Sequence, residues 1–328
     1  MNVSENLAIA FDIGTTTIAA ALLDRETGEL LATAGTLNPQ REFGLDVVSR
    51  LHAALDSDDA SRKMKEQVNG SLRQLAEELL DAAGVRPESL RFAAIAGNPA
   101  MEHLLLGLPI RTLAFPPYRP IFTVGKLISA AGLDWDSTSD VYIFPLPGGF
   151  VGGDLVAFLY GQGVDSARCA TQPVQLYLDL GTNGEIALAT EGKIYATSAA
   201  AGPAFEGGNL TCGMAALPGA ISGFHLEGEK VALSTIGSAP PAGICGSGVI
   251  ETVAELLRTG IIDSSGRLIE PSEIGTNLAN RIIGKGDEIA FLLYRDADRR
   301  IYLGQRDIRQ LRVLSAVIAQ QRGLVRIG

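Results

Sequence analysis

The sequence contains few of the residues from which metal clusters and disulfide frameworks are built. Its 328 residues include only three cysteines and three histidines. The cysteines, Cys169, Cys212 and Cys245, are odd in number and far apart, which argues against a disulfide framework and against a CxxC site. We therefore expect packed thiols, ordinary packed or surface imidazoles, and no iron–sulfur cluster bound by this chain.

Basic charge and long apolar runs are also scarce. Lys and Arg number 27 against 37 Asp and Glu, for a net charge of −10. Nucleic-acid binding usually needs a basic face, so we expect no such partner. No run of about eighteen apolar residues is present, and the segment from Met1 to Asn6 lacks the features of a signal peptide. We expect no membrane partner and a cytoplasmic location.

Aromatic residues make up only 6 % of the chain, but hydrophobic residues as a whole make up 46 %. This apolar content is typical of a folded globular protein and not of a disordered one. The 38 glycines indicate many tight turns. The length is sufficient for two domains with their own cores.

One motif occurs twice. Phe11 to Thr17 reads FDIGTTT, and Leu178 to Glu185 reads LDLGTNGE. Each copy follows an apolar run and precedes two further runs separated by a turn, which predicts a β-hairpin. The duplication predicts two related domains, residues 1–165 and 166–328.

The chemistry of the motif favours nucleotide binding. A glycine lets backbone N–H groups approach an anion closely, and neighbouring hydroxyl and amide groups add donors. A carboxylate beside bound phosphates needs an intervening hard cation, so Asp12 and Asp179 suggest Mg²⁺ held mostly through water. The candidate phosphate-binding residues are Gly14, Thr15, Thr16, Thr17, Gly181, Thr182, Asn183 and Gly184.

The pattern along the chain alternates between strands and helices, which predicts an α/β fold. Apolar residues recur at helical spacing from 60 to 83, so a long amphipathic helix should end at Gly84. We also expect a short helix near 124–131 and a linker at 161–173. A further helix is predicted to begin near residue 307.

Two helix starts carry further candidate residues. Asp154 follows Gly152-Gly153 and begins a helix. It either contributes to a functional site or is simply an acidic residue that the helix dipole favours at this end. Gly246, Ser247 and Gly248 precede a helix at 249–258, whose free N–H groups would suit an anion or a hydroxyl. The alternative reading of this turn is ordinary helix capping.

The two DxGT motifs and the Gly-Gly-Asp helix resemble the phosphate-1, phosphate-2 and connect-1 signatures of the actin-like ATPase superfamily. Four further segments are similar to the ATPase portion of the reductive activators of corrinoid proteins, and the likeness runs from about residue 7 to residue 315. These segments are residues 97–104, 150–154, 201–207 and 244–248.

The resemblance implies two RNase H-like domains, the second of them incomplete, with MgATP as the ligand. Asp12 and Asp179 would position the metal, and Asp154 would orient or deprotonate the attacking water. Gly246, Ser247 and Gly248 would lie near the nucleoside. The implied activity is ATP hydrolysis that remodels a corrinoid protein, so that its cobalt can be reduced. A homodimer is compatible with the family.

The sequence departs from the family pattern at both ends. The activators usually carry an amino-terminal iron–sulfur domain, so electron delivery here would need a separate donor protein. The carboxyl end is expected to be too short for the adenosine loop and the last helix of the superfamily fold.

Two other functions stay open. The first is a small-molecule kinase, for which Asp46 is the candidate base. The second is a binding module that depends on nucleotide but does not hydrolyse it, or a decayed copy. Asp46 and Arg50 either face the cleft or form a surface helix pair.

Overall fold

The computed structural model describes residues 6–135, 139–181, 183–200 and 210–311, together with the backbone of 325–327. The chain divides into two compact units. The first unit comprises Met1–Asp179, Glu185–Ser198 and Arg322–Gly328, and the second comprises Leu180–Gly184 and Ala199–Gln321. The domain boundary between residues 165 and 166 stays a prediction.

A six-stranded mixed sheet forms the centre of the first unit, in the order β3-β2-β1-β4-β6-β5. The predicted first hairpin is confirmed, because β2 and β3 pair antiparallel. Alternate residues of β1 are buried, whereas Asp12 is exposed. The strands are β1 (Leu7–Ile13), β2 (Thr17–Asp24), β3 (Leu30–Leu37), β4 (Leu90–Gly97), β5 (Lys126–Ser129) and β6 (Asp140–Ile143).

The same unit contains four helices that precede β5 in the chain. They are α1 (Val47–Asp56), α2 (Asp58–Ala83), α3 (Pro99–Leu106) and α4 (Arg111–Ala114). The long predicted helix is confirmed as α2. Its amino end is capped by the Ser57 hydroxyl, and its carboxyl end by Gly84 in the left-handed region with φ 66°. A stripe of buried residues runs along it at helical spacing, formed by Met64, Val68, Leu72, Leu75 and Leu79.

The rest of the first unit contains helices α5 (Gly153–Gly161) and α6 (Ser166–Thr171) and a four-stranded sheet. This sheet holds the strand Val325–Ile327, then β9 (Lys193–Ala200), β8 (Asn183–Thr190) and the edge strand β7 (Gln175–Leu180). The second predicted hairpin is therefore confirmed as β8 and β9. The hydrophobic core between this sheet and helices α5 and α6 includes Val151, Leu155, Leu159, Ala187 and Ala196.

The second unit contains two three-stranded sheets. One has the order β11-β10-β12, with β10 (Ala220–Glu227), β11 (Lys230–Thr235) and β12 (Gly243–Ile244). Helix α7 (Gly246–Arg258) packs on β10. The other sheet has the order β13-β14-β15, with β13 (Ile282–Ile283), β14 (Ala290–Arg295) and β15 (Arg300–Gly304). Residues 305–311 are helical, in line with the helix expected near 307.

Short 3₁₀ segments connect several of these elements. They are Pro39–Phe43, Pro87–Ser89, Ala130–Leu133, Ile236–Ser238, Pro271–Glu273, Asn277–Arg281 and Gly286–Glu288. No helix in the described ranges combines the length and the apolar character needed to cross a bilayer.

Two local predictions were wrong. The helix expected near 124–131 is instead β5 followed by a 3₁₀ turn, because residues 126–129 pair antiparallel with β6 at the edge of the sheet. The linker expected at 161–173 contains α6, which is capped by the Asp165 carboxylate accepting from Arg168 N at 2.7 Å. The glycine-rich segment 201–207 lies outside the described residues.

Candidate functional site

The first DxGT motif forms a tight turn between β1 and β2. Asp12 lies on the exposed face of β1. The strand ends at Ile13, and the turn begins at Gly14. A Cβ on Gly14 would lie 2.7 Å from Thr17 O, so this position requires glycine. Thr15 is buried, whereas Thr16 and Thr17 are half-buried.

Three buried side chains donate hydrogen bonds to this turn. Asn38 Nδ2 donates to Gly14 O at 2.8 Å, and Arg50 Nη2 donates to Thr15 O at 2.6 Å. Asn98 Nδ2 donates to the Thr15 hydroxyl at 3.0 Å, so that hydroxyl is engaged under the turn. All three donors are buried. The turn is therefore fixed in shape by side chains that lie behind it.

Asp154 stands in the first turn of α5, as the sequence predicted. The start of this helix packs backbone to backbone against the turn at Gly97 and Asn98. A Cβ on Gly152 would lie 2.5 Å from Gly97 O, and one on Gly153 would lie 2.2 Å from Glu102 Oε1. Asn98 thus links the two parts of the site, since its side chain holds Thr15 while its backbone contacts the start of α5.

Four carboxyl groups of the first unit interact electrostatically here. Burial, together with the charges of Asp12 and Asp179, raises the pKa of Asp154 to about 7. Burial and the charge of Asp154 together raise the pKa of Glu185 to about 8, although Glu185 accepts a 2.7 Å hydrogen bond from the Ser198 hydroxyl, which lowers it. The structure therefore brings Asp12 and Asp179 within electrostatic range of Asp154.

Sequence reasoning missed Glu185 as a site residue. Glu185 is 6 % exposed and ends the second motif. The available signal was that a second acidic residue closes a motif that already contains Asp179. Glu102 was also missed, and its buried position inside an apolar helix gave no comparable signal.

The second motif lies partly in the second unit. Gly181 N donates to Asn183 O at 2.9 Å, which closes a tight turn, and Gly184 is buried. Thr182 lies outside the described residues. The phosphate-binding role of this turn stays a prediction.

Gly246 to Gly248 form the start of α7. A Cβ on Gly248 would lie 2.0 Å from Ile221 O, so this glycine permits close packing on β10. Ser247 is exposed, and its hydroxyl donates to Ser222 O at 3.1 Å. The N-cap residue Cys245 makes no side-chain capping bond, which leaves the start of the helix suited to an acceptor group.

Asp46 and Arg50 do not form a surface helix pair. The Asp46 carboxylate caps α1 and accepts from both Ser49 N and the Ser49 hydroxyl at 2.8 Å. The Ser49 backbone bond lowers the pKa of Asp46, so this carboxylate is poorly suited to act as a base. Arg50 is fully buried and supports the first turn.

The remaining histidine and cysteine predictions agree with the structure. His103 is buried, with Nδ1 at 2.7 Å from Pro99 O and Nε2 accepting from Ile121 N at 3.0 Å. Both ring nitrogens therefore have structural partners. Cys169 and Cys245 are buried free thiols, and Cys212 is a half-buried one.

Two family models match the chain. One, described as the RACo middle region, matches residues 7–167, and the other, described as the C-terminal domain of RACo, the ASKHA domain, matches residues 173–327. A solved structure titled as a reductive activator for a corrinoid, iron–sulfur protein superimposes with a TM-score of 0.83 at 32 % identity, covering 97 % of this chain and 50 % of that one.

Two curated relatives are also similar. The corrinoid activation enzyme RamQ of Eubacterium limosum is 33 % identical over 94 % of this chain and 53 % of its own length. A Co(II) methylated amine-specific corrinoid protein reductase of Methanosarcina barkeri is 28 % identical over 79 % of this chain and 52 % of its own length. The chain thus spans about half the length of the curated relatives that it matches.

Proposed function

Because the chain belongs to the RACo family and has its ASKHA domain, we propose that it binds and hydrolyses MgATP and thereby remodels a corrinoid protein for reduction of its cobalt. The observation that carries the ATPase proposal is the junction between the rigid DxGT turn and Asp154. Asn98 joins the two through its 3.0 Å bond to Thr15 and its backbone contact with the start of α5. A turn that binds phosphate and a carboxylate that handles water are what phosphoryl transfer requires.

The carboxyl groups suit a magnesium site. Carboxylate oxygens are hard ligands of the kind Mg²⁺ prefers, and a divalent cation would offset the repulsion by Asp12 and Asp179 that adds to burial in raising the pKa of Asp154. Among the described residues, no group of three or more side chains is arranged to hold a metal directly. We assign Asp12 and Asp179 to the cation, mostly through water, and the bound cation would neutralise phosphate charge.

The other roles follow the chemistry of each residue. Gly14 to Thr17 and Gly181 to Gly184 would present backbone N–H groups to phosphate oxygens, and the hydroxyls of Thr16 and Thr17 would add donors, whereas the Thr15 hydroxyl is engaged with Asn98. Gly246 to Gly248 would face the nucleoside. With a pKa of about 7, Asp154 is suited to take a proton from water near neutral pH.

The partner assignment rests on the relatives, whose names describe action on corrinoid proteins. The chain spans about half of the length of these relatives. That it has their complete activity is therefore part of the proposal. A separate electron donor and a homodimer remain part of that proposal, as does a cytoplasmic location.

Calorimetry with MgATP tests the nucleotide site. We expect binding to the wild type, loss of binding in the double variant Asp12→Ala with Asp179→Ala, and normal binding to Asp81→Asn, an exposed carboxylate on α2. Asp154→Asn should still bind but should hydrolyse ATP about a hundredfold more slowly. A folded wild type that binds no adenine nucleotide would contradict the proposal.

The same preparations separate the alternatives. Binding without hydrolysis would favour a nucleotide-dependent binding module, and transfer of phosphate to a metabolite would favour a kinase. The structure weighs against the kinase, because Asp46 is engaged as a helix cap. Spectroscopy of corrinoid protein with a chemical reductant tests the partner role, and cobalt reduction should accelerate only when both the chain and MgATP are present.

A further inference from the structure

Glu102 is a fully buried carboxyl group that the roles assigned above leave unused. It lies in the first turn of α3 and is 0 % exposed. Its Oε1 accepts a hydrogen bond from Gly97 N at 3.1 Å. Its Oε2 is buried and has no hydrogen-bond partner among the described residues. Buried polar atoms without partners are uncommon in folded proteins, so this one requires an explanation.

The side chain fills the space left by a glycine of α5. A Cβ on Gly153 would lie 2.2 Å from Glu102 Oε1, and the same Cβ would lie 2.7 Å from Phe144 Cβ. Glu102 therefore packs directly against the residue that precedes Asp154. Its hydrogen bond to Gly97 also ties it to the turn that supports the phosphate-binding motif.

The surroundings of Glu102 favour the neutral acid. No Lys, Arg or His of the described residues forms an ion pair with it, and burying an ionised carboxylate without a counter-charge is strongly unfavourable. Burial, followed by the charge of Asp154 on α5, raises the pKa of Glu102 well above its usual range. The neighbouring His103 is turned away, toward Pro99 O and Ile121 N. A neutral Glu102 carries a hydroxyl that has no acceptor within the part of the chain that the structure describes.

We propose that Glu102 is a positioning residue for Asp154, which stays protonated and donates its hydroxyl to the Asp154 carboxylate when the nucleotide site is occupied. The proton stays on Glu102, and no covalent bond is formed or broken. A neutral donor favours the ionised form of Asp154, whereas a second carboxylate would repel both Asp154 and the triphosphate. The role assigned to Asp154 rests on the proposed function, but the protonation of Glu102 does not.

Two substitutions distinguish this role from simple packing. Glu102→Gln preserves the shape, the acceptor for Gly97 N and a donor in place of the hydroxyl, but it cannot ionise. Glu102→Met preserves the volume and removes both the acceptor and the donor. Glu77→Gln, at an exposed position of α2, is the matched control.

Infrared difference spectroscopy on the protein without nucleotide tests protonation directly. Near pH 7, Glu102→Gln should remove the carbonyl band of a protonated carboxyl, whereas Glu77→Gln should remove carboxylate bands. Loss of carboxylate bands in Glu102→Gln would overturn the inference. This measurement decides the protonation state even if the wild type proves to have no ATPase activity.

Steady-state kinetics tests the positioning role. Near pH 7, the kcat of Glu102→Gln should stay within about threefold of the wild-type value. At alkaline pH the wild-type kcat should fall as Glu102 ionises, whereas the kcat of Glu102→Gln should not fall. Glu102→Met should lower kcat about tenfold or more, with KM for MgATP changed less than about threefold. Equal kcat in all proteins, or an equal loss in both variants, would overturn the inference. If Glu102→Met does not fold, the pH profile of Glu102→Gln decides.

Discussion

At the scale of single residues, Arg50 contributes most clearly to the shape of the site without being placed to react. Its guanidinium group is fully buried and donates to Gly44 O at 2.9 Å as well as to Thr15 O at 2.6 Å. A planar fork of donors can make both bonds from one position, which a lysine ammonium group cannot. Arg50 therefore joins the loop before α1 to the first DxGT turn.

We expect Arg50→Lys to weaken MgATP binding about tenfold and to leave binding of adenosine, which lacks phosphates, unchanged. The physical reason is that Thr15 O loses its donor and the turn becomes mobile. Calorimetry with both ligands measures this difference, and Arg62→Lys on the exposed face of α2 is the matched control. Equal affinity of the Arg50 variant and the wild type for MgATP would contradict the role of Arg50. A parallel loss of adenosine binding would indicate general damage instead.

The residues of the DxGT motif could be predicted from the sequence, because they are adjacent in the chain. The distant residues that hydrogen-bond to the motif could not. The DxGT motif identified Asp12 and Gly14, because the turn chemistry of glycine and threonine is local. Arg50 and Asn98 reach Thr15 across 35 and 83 positions of the chain, so no local pattern pairs them with the turn. The same limit explains why Glu102 was not predicted beside Asp154.

At the scale of elements, the approach of α5 to the turn at Gly97 depends on missing side chains. The start of the helix contacts Gly97 O and Glu102 Oε1 at distances that leave no room for a methyl group. The sequence showed the Gly-Gly-Asp order and the helix that follows it. It could not show that Gly97 faces these glycines, since that contact depends on the order of strands in the sheet.

We expect Gly153→Ala to destabilise the first unit by about 1–3 kcal/mol and to lower the rate of ATP hydrolysis, because the new methyl group must displace Glu102 or Phe144. Gly161→Ala is the matched control, since it ends the same helix and no atom lies within 4 Å of its added Cβ. Urea unfolding followed by Trp135 measures both variants. Trp135 is the chain's single tryptophan and is buried in the first unit. Equal stability of the two variants would contradict the close contact.

Secondary structure was predicted well where the pattern was long and poorly where it was short. The 26 residues of α2 carry several turns of one apolar stripe, so its period is unmistakable. The four residues of β5 are alternately half-buried and exposed, and its pairing with β6 determines its conformation. Such pairing is a long-range property that a window of a few residues does not contain.

At the scale of the whole molecule, an acidic chain also concentrates carboxyl groups inside its first unit. The net charge is −10, and burial raises the pKa of Asp154 to about 7 and of Glu185 to about 8. Raised pKa values mean that the folded protein holds protons that the unfolded chain has already released. The folded state therefore loses stability as pH rises through this range.

Other groups act at lower pH and do not obscure this effect. The pKa of Glu255 is lowered to about 2, chiefly by its hydrogen bonds with Arg258, so its stabilising contribution is complete well below neutral pH. Burial lowers the pKa of His103 below its ordinary value of 6.5, so its contribution increases with pH only up to about that point. Above pH 6.5, the groups with raised pKa values determine the slope.

We expect the free energy of unfolding of the nucleotide-free first unit to fall by at least about 2 kcal/mol between pH 6.5 and pH 8, because folded Glu102, Asp154 and Glu185 retain protons that the unfolded chain has released. The Glu185→Gln variant should make this dependence shallower without abolishing it, because the amide cannot ionise and still accepts from the Ser198 hydroxyl, while Glu102 and Asp154 retain their raised pKa values. Urea unfolding followed by Trp135 fluorescence at several pH values measures both proteins. Stability that is constant or rises over this range in the wild type would show that Glu185 and Asp154 are already ionised in the folded state. Excess Mg²⁺ should reduce the slope, since a bound cation favours the ionised carboxylates that the pH rise produces.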